Sequence, residues 1–268
     1  MSVNGIGPPG SSSPFPVSLR VEELAGGIWK TWAHPMATRQ VIDLVGDKMG
    51  RFSLIADVGS YDFEFDEAGR GIGTRPISET LHERGVRILA SDTDAVVVST
   101  ADATRVLSDL PTYNLNLLDL RSAAIEVADA WITLQDHSVP VLARNVDSGV
   151  FLSSHDDCYL IVESRSEAAG YELCARLVTF VVGTHLLGGP GQIEIQLPSL
   201  DLTHDALAAD KAFCCSQAKV EVVGSEVRVP FAQEWTRAQD PIPTPTHVLI
   251  YGSESGSWTL ERLGQKQG

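Results

Sequence analysis

The sequence YLIVESRSEAAGYELCARLVTFVVGTHLL, residues 159–187, decides the fold class of this chain. It begins with large apolar residues typical of a strand and continues with apolar residues at helical spacing. A capping box formed by Ser164 and Glu167 is predicted to open a long amphipathic helix, and Gly188 and Gly189 are predicted to end it near residue 187. Beyond the helix, the pattern predicts a strand at 193–197, a short helix and then a tight hairpin.

Two glycine-serine pairs predict further hairpins. Positions 59–60 and 224–225 are two-residue loops with glycine first, which suits a type II′ turn. Hairpins are therefore expected at 52–65 and 220–229. Their predicted cross-strand pairs are Ala56 with Phe63, Leu54 with Phe65, Val222 with Val227, and Val220 with Val229.

The segment 115–135 carries the most regular apolar spacing in the chain. Apolar residues alternate three and four positions apart, which predicts one long helix. Such a helix packs on a sheet or on a neighbouring helix, and a partly exposed dimer seam is the alternative. The residues of this stripe are Leu117, Leu120, Ala124, Val127, Trp131 and Leu134.

The remaining pattern mixes helices with locally paired strands. This mixture predicts an α+β fold, with antiparallel sheets built from hairpins and long amphipathic helices packed on them. The other predicted elements are helices at 21–32, 36–49, 76–84 and 102–110, strands at 86–90 and 95–99, and hairpins at 150–163 and 247–263.

Three parts of the chain are expected. Residues 1–18 are rich in Gly, Ser and Pro and are predicted to be a disordered tail. An α+β N-terminal subdomain is predicted at 19–112, and a second, sensor-like α+β subdomain at 113–268.

Composition narrows the function classes. The chain has 268 residues, 43% of them apolar, and a net charge of −15. Such acidity repels phosphates, so no nucleic-acid partner is expected. The apolar run 173–187 is too short and too interrupted for a membrane span, so no membrane partner is expected either. The N-terminal segment lacks the features of a signal peptide, which predicts a cytoplasmic protein with reduced cysteines.

The segment 155–158 is the densest group of reactive side chains. A thiolate needs a nearby base or cation, so His155, Asp157 and Cys158 are the candidate catalytic residues. The alternative is a solvated turn with a small buried cysteine. Metal binding would need partners such as His204 and Asp205, and neither a metal nor a cofactor is predicted.

Residues 69–75 form a glycine-rich stretch, GRGIGTR. Arg70 and Arg75 beside backbone N–H groups are the candidate anion-binding residues. The stretch lacks the Lys-Ser/Thr of a phosphate loop, and an ordinary loop is the alternative.

Aromatic residues suggest an apolar pocket. One patch contains Trp29 and Trp32, near His34, and three other aromatic residues are predicted to wall a cavity under the sheet. Core packing of these side chains is the alternative. The predicted ligand-binding residues are Trp29, Trp32, Trp131, Tyr171, Arg176, His185 and Trp235, with Arg176 or His185 orienting the ligand.

The order of elements between about residues 115 and 240 resembles the effector-sensing, arabinose-binding-like N-terminal domain of AraC-type transcription regulators. Phe213 and Cys215 before a valine-rich hairpin match a Phe-Gly-Cys-Pro-like stretch of that family. The sequence departs from it at Cys214, where glycine is usual, and at 216–217, where Pro-Val is typical. The resemblance covers under half of the chain. Too few residues follow Asp240 for a helix-turn-helix domain, so the resemblance implies a sensor without a DNA-binding output.

The sequence therefore predicts a protein that binds a small, largely apolar molecule. An enzyme that rearranges or cyclises such a substrate in the same pocket is the first alternative, because positioning and general acid-base groups suffice for that chemistry. A protein-interaction module is the second, and a homodimer is compatible with all three.

Overall fold

The computed structural model of the chain describes residues 16–34, 42, 45–46, 48–57, 63–65, 67, 71–74, 76–92, 95–107, 115–135, 138–155, 159–186, 195–237 and 240–264. The chain forms two compact units. The central unit comprises Glu23–Trp32 and Met36–Ser166. The C-terminal unit comprises Met1–Glu22, Ala33–Pro35 and Glu167–Gly268. The chain thus has helices and an extensive antiparallel sheet, as the α+β prediction requires.

The central unit is built on an antiparallel sheet. Its strands are β2 (Ile28–His34) as far as Trp32, β3 (Phe52–Asp57), β6 (Ala90–Ser91), β7 (Ala95–Ser99), β8 (Leu115–Leu120), β9 (Val150–His155) and β10 (Tyr159–Ser164). Their spatial order is β2-β10-β9-β8-β3-β7-β6. All six residues of β8 are buried, because this strand lies in the middle of the sheet and is covered on both faces.

Helices cover both faces of this sheet. Face A, which we define by Leu54, Leu118 and Phe151, packs against α3 (Val127–Gln135) and α4 (Val141–Arg144). Face B is the opposite face, which carries Ser53, Ile55 and Leu117. There α2 (Thr100–Leu107) is tied to β3, because the hydroxyls of Ser53 and Thr100 lie 2.8 Å apart. The first helix of the unit, α1 (Ile77–Glu83), follows Pro76 and contacts β7.

The C-terminal unit has a second antiparallel arrangement around one long helix. β1 (Val17–Leu24), β11 (Ala212–Cys215), β13 (Glu226–Ala232), β14 (His247–Gly252) and β15 (Ser257–Arg262) follow the order β15-β14-β13-β11-β1, and β12 (Glu221–Val223) also pairs with β13. Helix α5 (Ala168–Leu186) packs on β13, and the short α6 (Leu200–Ala206) packs on α5. No residue of α5 is fully exposed, so its apolar surface is much wider than a single stripe.

Several local predictions are confirmed. The hairpins β9–β10 and β14–β15 form where expected, and Val222 pairs with Val227 across a turn whose Gly224 has φ +62°. The helix predicted at 76–84 is α1, and the helix predicted at 102–110 begins two residues earlier as α2. The pairing of β12 with β13 ends at Glu221 and Arg228, and Val220 precedes β12, so the predicted pair of Val220 with Val229 is not part of it.

The helix predicted at 115–135 is wrong in its first half. Residues 115–120 form strand β8, and only Val127–Gln135 is helical. A strand that is buried on both faces needs apolar residues at nearly every position. Its leucines therefore also match a spacing of three and four, and periodicity cannot distinguish the two structures.

Two predictions fail, one because glycines form a turn and one because a strand pairs with distant partners. Residues 21–32 contain parts of β1 and β2 rather than a helix, with Gly26 and Gly27 at φ +81° and +70° between them. The 52–65 hairpin is wrong, since β3 pairs with β7 and β8. Phe63–Phe65 forms β4, which pairs with β5 (Gly71–Thr74).

The ends of the predicted long helix also differ. Ser164 Oγ accepts a hydrogen bond from Ser166 N, and α5 begins at Ala168, so Ser164 and Glu167 form no capping box. Residues 195–199 have no regular secondary structure, so the strand predicted at 193–197 is wrong over its described residues, 195–197. Most of the helix predicted at 36–49 lies outside the described residues.

The compact units divide the chain near residue 166, whereas the sequence predicted a boundary near residue 112. The reason is the pairing of β3 with β8 from Phe52–Leu120 to Asp57–Leu115. This pairing joins segments from both sides of the predicted boundary in one sheet.

Candidate functional site

A row of short side chains crosses face A of the central unit. Ala95 pairs with Ala56, Ala56 with Asn116, and Asn116 with Ser153. These four residues, the short-side-chain row, lie on four adjacent strands. Because neighbouring strands are about 4.8 Å apart, the row is about 14 Å long.

The next row on the same face consists of large apolar side chains. It lies two residues along each strand, and its members are fully or almost fully buried. The sheet therefore changes from large to short side chains within one step of about 6.6 Å along the strands. The members of this second row are Val97, Leu54, Leu118 and Phe151.

Asn116 is the polar member of the short-side-chain row that is almost completely buried. Its exposed fraction is 5%, and its Oδ1 atom has no hydrogen-bond partner among the described residues. A buried polar atom without a partner costs about 1–3 kcal/mol. Thr80 and Ser154 also carry buried unpartnered oxygens, but these are hydroxyls that can rotate, and Ser154 lies on face B.

The row thus places one strong hydrogen-bond acceptor beside the methyl groups of Ala56 and Ala95. An amide oxygen can accept two hydrogen bonds. Helix α3 packs on this face and contacts β7. Ala56 and Ala95 are fully buried and Asn116 is 5% exposed, so the row is covered by other parts of the protein.

Asp119, on face B of the same strand, is a structural residue. Its Oδ1 accepts a hydrogen bond from Gly50 N at 2.6 Å, and its Oδ2 accepts one from Gly149 N at 2.9 Å. Its backbone oxygen accepts a hydrogen bond from Ser148 Oγ. The carboxylate therefore joins β8 to the segments that precede β3 and β9.

The predicted catalytic residues lie at the turn between β9 and β10. His155 is the last residue of β9 and pairs with Tyr159, and its side chain is outside the described part of the structure. Asp157 and Cys158 lie outside the described residues. Asn116 pairs with Ser153, which lies two residues before His155 on β9.

The described cysteines are buried and reduced. Burial raises the pKa of the Cys174 thiol to about 12. Burial, with the nearby Glu234 carboxylate, raises that of Cys214 to about 12, and burial also raises the pKa of Cys215. These three thiols are therefore protonated near neutral pH and are poor nucleophiles.

Tyr171 belongs to a polar cluster of the C-terminal unit. Glu167 Oε1 accepts hydrogen bonds from the Tyr171 hydroxyl and from Lys211 Nζ at 2.8 Å. The Tyr171 ring packs edge-on against His204, with centroids 5.2 Å apart. Lys211 has φ +49°, an uncommon conformation for a residue with a side chain. The cluster joins the start of α5 to the turn before β11.

The charges in this cluster are stable near neutral pH. The hydrogen bonds from Lys211 and Tyr171 lower the pKa of Glu167. Burial and the bond to Glu167 raise the pKa of Tyr171. Glu167 is therefore an ionised, weak base and Tyr171 a neutral donor, which is unfavourable for proton transfer.

The other predicted ligand-binding residues are dispersed. In the C-terminal unit, the two ring nitrogens of His185 lie 2.8 Å from Val181 O and 3.2 Å from Gln217 O. His185 therefore joins the end of α5 to the 3-10 turn Gln217–Lys219, which follows β11. Trp235 packs on His34, with ring centroids 5.2 Å apart.

Arg176 is half-buried on α5. In the central unit, Trp29 and Trp32 are half-buried on β2, and Lys30 Nζ lies 4.6 Å from the centroid of the Trp32 ring. Trp131 belongs to α3, and its side chain lies outside the described part of the structure.

The predicted anion-binding residues Arg70 and Arg75 lie outside the described residues. Between them, Gly71–Thr74 is strand β5, so its two glycines belong to a strand and not to a loop that surrounds a phosphate. His204 Nδ1 lies 3.8 Å from Asp205 Oδ1. Within the described residues, no group of three or more His, Cys, Asp or Glu side chains could hold a metal ion.

Sequence reasoning missed Asn116, although a signal was present. The strand LNLLDL, residues 115–120, contains one amide and one carboxylate in an otherwise apolar run. If residues 115–120 are assigned to a helix, Asn116 lies on its solvent-exposed side. Assigned to a buried strand, it must be buried with the leucines, and its hydrogen-bond partner becomes a question.

Comparisons with known proteins identify no relative. No family model, curated protein or solved structure matches this chain. Among the described residues, no helix has both the length and the apolar character that a bilayer span requires.

Proposed function

We propose that this protein binds a small molecule over the short-side-chain row of the central unit. The observation that supports the proposal is the buried, unpartnered Oδ1 of Asn116 among the short side chains of Ala95, Ala56 and Ser153. Asparagine in the middle of a sheet is expected to satisfy its amide. Because Ala56 and Ala95 are fully buried, a bound molecule has to displace the groups that cover the row. A molecule that does so and donates a hydrogen bond would recover the cost of the unpartnered oxygen, about 1–3 kcal/mol.

Sequence and fold both favour binding at this face. The predicted ligand-binding residue Trp131 belongs to α3, the helix that packs on face A, and the predicted catalytic residue His155 is the last residue of β9. A molecule held here lies between sheet and helix, as the sequence analysis expected. The resemblance to an effector-sensing domain agrees with this function and remains a proposal.

Binding is better supported than catalysis. The three described thiols are held neutral by burial, and the Glu167–Tyr171 pair holds its protons in a state that is unfavourable for acid-base chemistry. An enzyme that rearranges or cyclises a substrate would depend on His155, Asp157 or Cys158. The dimer seam that supported an interaction module loses its basis, because Leu117, Leu120, Val127 and Leu134 are buried inside the central unit.

Native mass spectrometry of the freshly purified chain tests the proposal. We expect an extra mass of a few hundred daltons relative to the denatured chain, and the extra mass should disappear in the variant Asn116→Leu. The control is Ser154→Ala, which removes the unpartnered oxygen on face B and should retain the extra mass. Bound mass that persists in Asn116→Leu would place the ligand elsewhere.

The same spectrum separates the alternative functions. A bare monomer that converts a candidate substrate would support the enzyme, and a bare dimer would support the interaction module. A cytoplasmic location belongs to this proposal. The proposal also includes no nucleic-acid partner, because a net charge of −15 opposes phosphate binding.

A further inference from the structure

We propose that strand β15, at the edge of the C-terminal unit, pairs with β15 of a second copy of this chain. The two strands run antiparallel about a two-fold axis through Leu260. The proposal goes beyond small-molecule binding and does not depend on it, because β15 belongs to the C-terminal unit. Three features of the strand support it: a regular edge, apolar surface beside that edge, and a sequence that is complementary to itself in one register.

Strand β15 ends its sheet within the described part of the chain. It pairs with β14 over all six of its residues without a shift in register, and with no other described strand. Proteins usually protect such an edge by keeping it short or by placing a proline or a bulge in it. The edge strand β6 has two residues, whereas β15 has six and contains neither device. A further strand can therefore add to β15.

The hydrogen bonds of the hairpin show which backbone groups point away from β14. Leu263 N donates a hydrogen bond to Thr246 O at 2.8 Å, and hydrogen-bonded pairs recur at every second residue of an antiparallel ladder. Glu261, Thr259 and Ser257 therefore bond to β14, and the N–H and C=O groups of the alternate residues point outwards. These alternate residues are Trp258, Leu260 and Arg262.

Apolar side chains lie beside this edge. Trp258 and Leu260 are half-buried on the strand itself, whereas Thr259 between them is exposed. Leu263, immediately after the strand, is 39% exposed. Leu200 is 44% exposed at the start of α6, a helix that contacts β15. A second strand would remove part of this apolar surface from water while it pairs the backbone groups.

The geometry of pairing and the charges exclude most registers of β15 with itself. Residues with outward-pointing groups must lie opposite each other, so the two-fold axis passes through a residue and not between two residues. Centred on Glu261 or on Arg262, the pairing places two like charges directly opposite each other, which is destabilising. Centred on Thr259 or on Trp258, it places Arg262 opposite the turn that precedes the strand.

The register centred on Leu260 has neither fault. It pairs all six residues of the strand or extends them to the next residue, and no like charges are opposed. Leu260 packs against its copy on the axis. Trp258 lies opposite Arg262, an arrangement that suits a cation–π contact, and Thr259 lies opposite Glu261. The contact is isologous, so each of these pairs occurs twice and the dimer is closed.

Sedimentation velocity of the full-length wild-type chain tests for the dimer. Six residues from each copy form a contact smaller than a standard stable interface, so the Kd should be on the order of 10–100 μM. We therefore expect mostly monomer at about 1 μM and mostly dimer at about 1 mM. The dimer should form whether or not a small molecule is bound to the central unit.

A proline variant tests whether backbone pairing at β15 forms the dimer. Arg262→Pro removes an outward-pointing N–H and retains the hydrogen bonds to β14, so the Kd should rise about tenfold or more. Arg262→Ala removes the same side chain but keeps the N–H, so it should weaken the dimer less. Thermal unfolding of both variants checks that the monomer is still folded.

A pair of charge variants at an exposed position tests the register. Thr259→Lys places a cation opposite Glu261 of the second copy and should strengthen the dimer, whereas Thr259→Glu opposes two carboxylates and should weaken it. The expected change is about threefold in each direction. Val146→Lys and Val146→Glu, at a position that is 73% exposed in the central unit, make the same changes in net charge and are the controls.

Each outcome supports or overturns the proposal. A chain that remains monomeric at about 1 mM would overturn it. A dimer that Arg262→Pro leaves unchanged would place the interface elsewhere and overturn it as well. If Arg262→Pro fails to fold, the Thr259 pair decides: opposite effects support the register centred on Leu260, and weakening by both charges or effects equal to those at Val146 exclude that register.

Discussion

Asn116 and Asp119 lie on the same strand, are equally buried and have opposite surroundings. Each has an exposed fraction of 5%, and they lie three residues apart, so they occupy opposite faces of the sheet. Asp119 accepts hydrogen bonds from two glycine N–H groups, whereas Asn116 Oδ1 has no partner in the described part of the chain. Burial of a polar residue therefore does not reveal its role. The presence or absence of its partners does.

The largest effect is expected from breaking the Asp119 contacts. Asp119→Ala leaves the N–H groups of Gly50 and Gly149 without their acceptor, so the free energy of unfolding should fall by about 3–4 kcal/mol in a urea titration. Asp119→Asn retains one acceptor oxygen and should lose about half as much. Equal losses in the two variants would mean that the two glycine contacts are not separate contributions.

A smaller effect should distinguish the two glycines around Asp119. A Cβ atom at Gly50 would lie 2.9 Å from Asp119 Oδ1 and 3.1 Å from the backbone oxygen of Leu120, while one at Gly149 would meet only Asp119 Oδ2 at 3.3 Å. Gly50→Ala should therefore cost about 2 kcal/mol and Gly149→Ala about 1 kcal/mol or less. Gly264→Ala, with no atom within 4 Å, is the control. A larger loss of stability in Gly149→Ala than in Gly50→Ala would contradict the contact geometry.

At Asn116, unlike at Asp119, a substitution should increase the free energy of unfolding. Asn116→Leu replaces the unpartnered amide by an apolar group of similar size, so the ligand-free protein should become more stable by about 1 kcal/mol. Thermal unfolding of ligand-free protein measures this gain. A loss of 2 kcal/mol or more would show that Asn116 has a structural partner and resembles Asp119 after all.

A partly exposed carboxylate provides the smallest effect. The pKa of Glu167 is lowered in the folded protein by Lys211 and Tyr171, so its contribution to stability is present above the unfolded-state pKa and is lost as the pH falls through the folded-state pKa. Wild type should therefore exceed Glu167→Gln in stability at about pH 7, and the difference should shrink towards about pH 3. Urea titrations at both pH values measure it, and a constant difference would exclude this linkage.

Part of the site could be read from the sequence. Trp131 and His155 were chosen from the sequence, and they belong to α3 and to the end of β9. Asn116 was not chosen, because the leucines around it match helical spacing as well as a buried strand. Its missing partner is a property of its neighbours on β3 and β9, and a linear pattern contains no information about them.

Local chemistry alone determined several elements of this protein. Helix α5, the β9–β10 and β14–β15 hairpins and the turn at Gly224 depend on periodicity and turn residues within about 20 positions of each other. Tertiary structure alone decided that β8 is a central strand and that Ala56 lies beside Asn116. It also decided that Asp119 has partners while Asn116 Oδ1 has none among the described residues. The physical reason is that strand pairing over long sequence separations is selected by burial of the whole sheet, and no local segment specifies it.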